Sequence, residues 1–178
     1  MGPASLREAR RGMRLAEELR LPLLTVIDTA GAELSKESEE GGLAGEIARS
    51  LYELIGLRAP SVSVLLGQGA GGGALALLPA DRTIAAQHAW LSPLPPEGAS
   101  AIVHRTPDFA AAMAEAQGVN VAGLHASGLV DHVVDERGGD AALEPREFSK
   151  RMGRAIEYEL GVLMSRPVER RLAERLRK

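Results

Sequence analysis

The feature that most constrains this chain is residues 61–78, where an apolar run passes through a cluster of glycines into a helix-forming stretch. Five glycines fall within seven residues: Gly67, Gly69, Gly71, Gly72 and Gly73. Because glycine destabilises regular structure, the cluster predicts backbone that turns sharply or closely approaches another group. A strand that turns into a helix here would present free N–H groups and the positive end of a helix dipole. Such an arrangement holds a phosphate or a developing oxyanion.

The composition is that of one soluble domain with its own core. The 178 residues are 45% hydrophobic, yet no apolar run is long enough to span a bilayer and the first residues lack a secretory signal. The absence of cysteine excludes a disulfide framework, a thiol nucleophile and a cysteine-ligated metal. A net charge of −3 and only 3% aromatic residues argue against nucleic-acid binding. We therefore expect a cytoplasmic protein.

Helical and strand periodicities alternate along the chain, which predicts an α/β fold. The first part predicts helices at 4–20, 42–57 and 74–78 and strands at 21–28 and 61–66. The next part predicts strands at 82–87, 89–92 and 129–134 and helices at 99–104, 109–116 and 121–126. The polar stretch 135–143 then separates a core, residues 1–143, from a helical extension, residues 144–178.

The two long strands are nearly continuous apolar runs, which is typical of parallel strands covered on both faces. The first of them follows directly after the first predicted helix, so nothing earlier in this chain pairs with it. Because an uncovered sheet edge is a liability, we expect a partner or a preceding segment to cover this strand.

The glycine cluster also satisfies the dinucleotide-binding pattern Gly67-x-Gly69-x-x-Gly72. The predicted helix after it is short, however, and the next strand ends at His88 without an acidic residue for a ribose. A Walker loop is excluded because no Gly-Lys-Ser/Thr is present. Two further interpretations remain open, a purely structural glycine turn and an oxyanion or carbonyl site built from backbone N–H groups.

Side chains suited to acid–base or nucleophilic chemistry are few. The four histidines do not pair at metal-ligand spacing, and Asp28 at a strand end is expected to cap a loop. Ser92 and Ser100 lack a nucleophile elbow. The arginines concentrate at the two ends of the chain, where they indicate either solvated helix faces or contact with an anionic cofactor or partner. The sequence thus favours a site made from backbone groups, without a protein general base.

Five segments in register resemble the carboxyltransferase of biotin-dependent acyl-CoA carboxylases, and most of all the alpha subunit of bacterial acetyl-CoA carboxylase. They are Ile27-Asp-Thr-Ala-Gly-Ala, Glu39-Glu40…Gly42…Ile47-Ala48-Arg49, Gly67-Gln-Gly-Ala-Gly-Gly-Gly-Ala-Leu-Ala, Ser92…Pro96-Glu-Gly-Ala-Ser-Ala-Ile102 and Ala114-Glu-Ala-Gln-Gly118. The resemblance covers nearly the whole chain. It implies a crotonase-like ββα superhelix that lacks its first strands and carries C-terminal helices.

The resemblance also implies the chemistry. A carboxyl group would pass from carboxybiotin, held on a separate biotin carboxyl carrier protein, to an acyl-CoA such as acetyl-CoA. Negative charge left on the ureido oxygen would be stabilised by backbone N–H groups, and the freed biotin nitrogen would act as the base. The family then needs no protein base and no metal in this chain.

Carried over by position, the resemblance assigns the oxyanion donors to Gly69 and Ala70, with Gly71 adjacent. It assigns the biotin pocket to a second set of residues: Pro96, Glu97, Gly98, Ala99, Gly31 and Ala32. It further implies a beta-type carboxyltransferase partner and a homo- or hetero-oligomer, with no membrane contact.

The chain also departs from the family pattern. Thr29-Ala30-Gly31-Ala32-Glu33-Leu34 replaces a loop that normally carries proline after Asp-Thr. The two strands that normally precede the first helix are absent as well, so the chain alone is not expected to be a full enzyme. Two alternative functions stay open: a non-catalytic assembly subunit of such a complex, and another crotonase-fold acyl-CoA enzyme.

Overall fold

The computed structural model describes residues 1–178 and confirms the α/β class. The strands are β1 (Leu23–Thr29), β2 (Ser61–Ala70), β3 (Arg82–Ala86), β4 (Trp90–Ser92) and β5 (His132–Val134). The α-helices are α1 (Pro3–Glu18), α2 (Lys36–Glu40), α3 (Leu43–Gly56), α4 (Gly71–Leu75), α5 (Pro96–His104), α6 (Ala110–Gln117), α7 (Val121–Ala126), α8 (Pro145–Met164) and α9 (Val168–Arg175). Short 3-10 turns lie at Pro107–Phe109 and Ala141–Leu143. No helix has the length and apolar character required to cross a membrane.

The five strands form one sheet in the order β1-β2-β3-β5, and every strand pair is parallel. Strand β2 is longer than its neighbours, and its two halves have different partners. Its first half pairs with β3, whereas Gln68, Gly69 and Ala70 pair with β4. Because the strands are parallel, the loops after β1, β2 and β4 leave the same edge of the sheet.

The structure corrects the predicted end of β2. The strand continues through Gly67 and Gly69 to Ala70, and helix α4 begins at Gly71 rather than at Ala74. These strand positions require glycine because other groups lie directly against the backbone. A Cβ atom on Gly67 would lie 2.7 Å from Asp28 Oδ1, and one on Gly69 would lie 2.8 Å from the Cδ1 atoms of Leu65 and Leu91. Glycine here permits close packing across the sheet.

Three other sequence-based bounds change for local reasons. Helix α5 starts at Pro96 instead of Ala99, because proline suits the first helical position. Strand β5 is only three residues long, since Leu129 and Val130 donate their N–H groups to the carbonyl of Leu124 at the end of α7. Helix α1 ends at Glu18 rather than at residue 20, because Arg20 adopts a φ of +55°, and Leu19 just after the helix is exposed.

Strand β1 is an edge strand, and only one of its faces is covered. Ile27 is buried, whereas the side chains of Leu24 and Val26 on the opposite face are 42% and 53% exposed. The prediction of coverage on both faces is therefore wrong for β1 in this chain. It describes the first half of β2 correctly, where residues 61–65 are all buried.

The C-terminal helices pack on the sheet rather than standing apart from it. Helix α8 contacts β2, β3 and β5, and its Phe148, Met152 and Leu163 belong to the same apolar core as Val62 and Ile84. Helix α9 is attached by charge instead, because Arg171 and Arg175 are both buried against the carboxylate of Asp81.

Asp81 lies in the turn before β3 and is 3% exposed. Its carboxylate accepts hydrogen bonds from the N–H of Ser61, from Arg171 and from Arg175, at 2.9, 3.1 and 2.7 Å. Arg175 also donates to the carbonyls of Leu54 and Leu57 at the carboxyl end of α3. One carboxylate thus joins β2, α9 and, through Arg175, α3.

Substitution of Asp81 by asparagine is expected to destabilise the protein by about 3–5 kcal/mol, because two buried guanidiniums would lose their counter-charge. Urea unfolding followed by circular dichroism measures the change. Glu40→Gln is the matched control, since Glu40 pairs with Lys36 on the surface and should change stability by less than about 0.5 kcal/mol. Equal effects of the two variants would contradict the role given to Asp81.

Candidate active site

Three loops meet at the carboxyl edge of the sheet, after β1, β2 and β4. A Cβ atom on Gly73 would lie 3.1 Å from the carbonyl carbon of Gly31, and one on Gly31 would lie 3.5 Å from the carbonyl oxygen of Ala70. A Cβ atom on Gly71 would lie 3.7 Å from the carbonyl oxygen of Pro93. The structure therefore brings the glycine cluster together with Gly31 and with the loop that leads to Pro96.

The turn at the end of β2 depends on glycine at one position. Ala70 is extended, whereas Gly71 has a φ of +61°, in the left-handed region that other residues rarely adopt. Gly69 and Ala70 are buried, and Gly71 and Gly72 are partly exposed. The accessible backbone of the predicted oxyanion segment is thus at Gly71, the first residue of α4.

The loop after β1 is held by the side chain of Thr29. The Thr29 hydroxyl accepts the N–H of Gly31 at 3.2 Å and lies 3.1 Å from its carbonyl oxygen. Gly31 has a φ of +126°, which again favours glycine. This local bonding places Gly31 and Ala32 against α4, although the loop lacks the proline of the family pattern.

Two serines shape the loops after β4 and are not placed as nucleophiles. Ser92 is buried, and its hydroxyl donates to the carbonyl of Leu94 at 2.5 Å. Ser100 is fully buried, donates to the carbonyl of Thr106 at 2.6 Å and accepts the N–H of Phe109. Asp28 has a comparable anchoring role, since its Oδ1 accepts the N–H of Gln68 at 3.0 Å.

A cavity of about 650 Å³ lies between Gln68 of β2 and the α5–α6 pair, and none of the residues Gly69–Gly73 lines it. Pro96 and Glu97 line this cavity, but Gly98 and Ala99 do not. Its wall combines small apolar side chains with a few polar groups, among them Gln68, Trp90, Ala111, Ala114 and Asn120. Pockets that bind planar organic groups commonly have this mixture.

Neither Gln68 nor Trp90 stands out as a functional residue in the sequence. They become neighbours only through the pairing of β2 with β4, in which Gln68 lies opposite Trp90. The available signal was weak, a single polar side chain between two glycines of a strand. Trp90 can nevertheless serve as a fluorescence reporter of the cavity, because it is the one tryptophan of the chain.

His88 and Glu136 form a polar contact at the rim of the cavity. The carboxylate of Glu136 accepts the N–H of His88 at 3.0 Å and that of Ala141 at 2.9 Å, and His88 Nδ1 lies 3.3 Å from it. Burial by itself would raise the pKa of Glu136, but these donors outweigh it and hold the pKa below the ordinary value of 4.5. The contact ties the β3–β4 turn to the segment after β5.

The remaining histidines lie outside this site. His125 Nδ1 bonds to the carbonyl of Val130, His132 lies 3.7 Å from Glu159, and His104 stacks on Phe109. No group of three or more His, Cys, Asp or Glu side chains is arranged to hold a metal ion. The interpretation of the terminal arginines as solvated fails for Arg10, Arg171 and Arg175, which are buried in ion pairs.

The comparisons with known proteins agree with this arrangement of loops. A family described as acetyl co-enzyme A carboxylase carboxyltransferase-like matches residues 1–178. The chain belongs to this family. The resemblance stated from the five sequence segments is thereby confirmed.

Two of the similar curated proteins illustrate the relationship. A probable biotin-dependent acyl-coenzyme A carboxylase beta3 subunit of Mycobacterium tuberculosis is 58% identical over 178 residues, which is 100% of this chain and 36% of that protein. An acetyl-coenzyme A carboxylase carboxyl transferase subunit alpha of Thiobacillus denitrificans is 40% identical over 173 residues, 97% of this chain and 54% of that protein. The chain thus spans about a third to a half of the length of these relatives.

Solved carboxyltransferase structures confirm the crotonase-like fold. Transcarboxylase 12S superposes with a TM-score of 0.77 and 21% identity, covering 94% of this chain and 31% of that one. A Pseudomonas malonate decarboxylase hetero-tetramer superposes with a TM-score of 0.70 and 18% identity, covering 98% of this chain and 67% of that one.

Replacement of Gly69 by alanine should destabilise the protein by about 1–3 kcal/mol, because the new methyl group would also lie 2.9 Å from the carbonyl oxygen of Trp90. Gly153→Ala is the matched control. Gly153 lies in α8 with nothing within 4 Å, so alanine there should stabilise the helix by up to about 1 kcal/mol. Thermal unfolding of both variants measures these opposite changes in stability. An unchanged stability of Gly69→Ala would contradict the packing described for β2.

Glu136→Gln should destabilise the protein by about 1–2 kcal/mol at pH 7, because a neutral amide is a weaker acceptor for two N–H groups. Since the folded pKa of Glu136 is lowered, its contribution is present above pH 4.5 and is lost as pH falls through the folded pKa. The stability difference between parent and variant should therefore shrink between pH 5 and the acid limit of folding. Urea unfolding at several pH values measures it, and a difference that grows on acidification would refute the lowered pKa.

Proposed function

We propose that this chain is a carboxyltransferase component that passes a carboxyl group from carboxybiotin to an acyl-CoA, most simply from acetyl-CoA to malonyl-CoA. The single observation that carries the proposal is the left-handed turn at Gly71, which leaves backbone accessible at the end of β2, the strand whose Gln68 lines the cavity. Family membership over the whole chain supports the same reaction class.

The residues of the site fit a biotin ring. A fused bicyclic ring with a planar ureido group is small enough for a cavity of about 650 Å³. The small side chains of Ala111 and Ala114 leave room for this ring against the cavity wall. Gln68 and Asn120 supply amide groups for a polar rim. Carboxybiotin, when bound, supplies the carboxyl group and a ring nitrogen that accepts a proton from the acyl α-carbon.

The contribution of the chain is electrostatic and positional. The N–H groups of the Gly69–Gly71 segment are proposed to stabilise negative charge on the ureido oxygen, and Gly71 supplies the accessible part of that segment. Pro96 and Glu97 would hold the ring from the side of α5, and Gly31 and Ala32 would fix the position of α4. These roles require no proton transfer by a protein side chain.

The proposed partners follow from the chemistry. The acyl-CoA site and a complete active site would be supplied by a beta-type carboxyltransferase partner, and the biotin would arrive on a biotin carboxyl carrier protein. The chain would then act as part of a homo- or hetero-oligomer. The backbone character of the proposed oxyanion donors supports this division, because such donors stabilise charge without themselves transferring a proton.

Biocytin binding tests the site, and Trp90 reports it directly. Addition of biocytin should change Trp90 fluorescence, and Ala114→Leu, which fills the cavity, should weaken the binding about tenfold. Ala112→Leu is the matched control, because Ala112 lies on the same helix outside the cavity. With a co-encoded beta-type partner, malonyl-CoA decarboxylation should require biocytin and should fall about 100-fold in Gly71→Ala, which displaces the N–H groups.

The outcomes separate the alternatives. Biocytin-independent CoA binding would favour another crotonase-fold acyl-CoA enzyme. Full partner activity in Gly71→Ala would favour a non-catalytic assembly role. The absence of biocytin-dependent turnover with any beta-type partner would overturn the proposal.

A further inference from the structure

A second cavity, of about 480 Å³, opens at the edge of the sheet opposite the glycine turn. It lies where the chain enters β1 and β2, between the end of α1, the loop before β2 and the start of α9. Its lining includes Arg20, Arg58, Pro60, Val168 and Arg171. Because parallel strands have their amino ends at one edge, this cavity is separate from the proposed carboxyl-transfer site.

The lining is predominantly positive. It contains three arginines, whereas Glu17 is its one acidic residue. Glu17 is engaged, because its carboxylate accepts the backbone N–H of Arg58 at 3.0 Å. The Arg58 guanidinium lies 3.6 Å from Glu169, and both side chains are well exposed, so this pair is weak and can exchange partners.

Arg171 is the buried element of the cavity. It is 3% exposed, its Nη1 donates to Asp81 at 3.1 Å and its Nη2 donates to the carbonyl of Arg58 at 2.8 Å. Its Nε has no hydrogen-bond partner. Asp81 also pairs with Arg175, so one carboxylate faces two buried guanidiniums. An excess of buried positive charge is costly, and an anion in the cavity would offset it.

Arg20 gives separate evidence for a ligand in the same cavity. It has a φ of +55° at the end of α1, where its N–H bonds to the carbonyl of Glu17 and the N–H of Leu21 bonds to that of Ala16. This pattern of bonds ends a helix with a left-handed residue that is usually glycine. An arginine there adds backbone strain, and its exposed side chain takes part in none of the ion pairs of the chain.

We propose that this cavity binds a phosphate dianion, either free phosphate or the phosphate group of a small phosphomonoester. Guanidinium groups match phosphate oxygens in geometry and charge. Arg20 and Arg58 have exposed side chains on this cavity, and Arg171 adds buried positive charge behind them. Helix α9 begins at Val168 on the cavity wall, so its amino end adds a positive dipole. The site is independent of carboxyl transfer.

Calorimetry and thermal unfolding of the intact chain test the proposal, with inorganic phosphate and glycerol 3-phosphate as probes against sodium chloride at equal ionic strength. A probe that binds the folded state should give saturable heat and a concentration-dependent rise in Tm beyond that in chloride. Tighter binding of glycerol 3-phosphate identifies a phosphomonoester, and tighter binding of inorganic phosphate identifies the free ion. Either result supports the site.

Arg20→Gly gives the decisive variant because its two expected effects have opposite signs. Glycine fits the left-handed backbone, so Tm without anion should rise, whereas phosphate affinity should fall about tenfold with the loss of a charged donor. Arg58→Ala should also weaken binding. Arg11→Ala, an exposed arginine on α1 outside the cavity, is the matched control and should bind phosphate as the parent does.

Two results would overturn the proposal. One is a Tm increase in phosphate no larger than that in chloride, together with no saturable heat. The other is unchanged phosphate affinity in both Arg20→Gly and Arg58→Ala, which would place any bound anion elsewhere on the chain.

Discussion

The close approach of β1 and β4 to the second half of β2 is the constraint on which the rest of the structure depends. A Cβ atom at Gly67 or Gly69 would lie under 3 Å from Asp28, Leu65 or Leu91. The three strands can therefore approach each other only because β2 has no side chains at these two positions. That meeting point sets where the three site loops begin. The glycines in β2 thus position the site, and Gly71 alone supplies the unusual backbone of the turn.

The sequence predicts the fold well where its signal is local and less well where tertiary contacts decide. Periodicity locates most of the helices and strands, and the five family segments predict the crotonase-like fold. Periodicity does not separate glycine that ends a strand from glycine that allows strands to pack, so β2 is predicted too short. It also gives no warning that Arg171 and Arg175 are buried, because their counter-charge, Asp81, is far away in the chain. The cavity beside Trp90 arises from strand pairing alone.

The proposed site is built from backbone N–H groups, and this affects how substitutions can change it. Side-chain substitutions cannot remove such donors, and only a change in backbone conformation displaces them. The reaction proposed for this chain suits that design, because the cofactor carries the reactive groups and the protein supplies fixed dipoles. Asp28 and Glu136 act as braces in this arrangement, because their carboxylates accept N–H groups of neighbouring loops.

The Asp81 contacts have a consequence for the order of folding. Asp81 is separated by 90 and 94 residues from the two arginines that neutralise it. During synthesis, the turn before β3 emerges long before α9, so that its carboxylate must remain hydrated while the strands around it begin to assemble. Closure of a loop of this length slows folding, and burial of that part of the sheet waits for the last helix. The nascent chain is therefore expected to pass through a stage in which the sheet has collapsed but the edge formed by the amino ends of its strands is still hydrated.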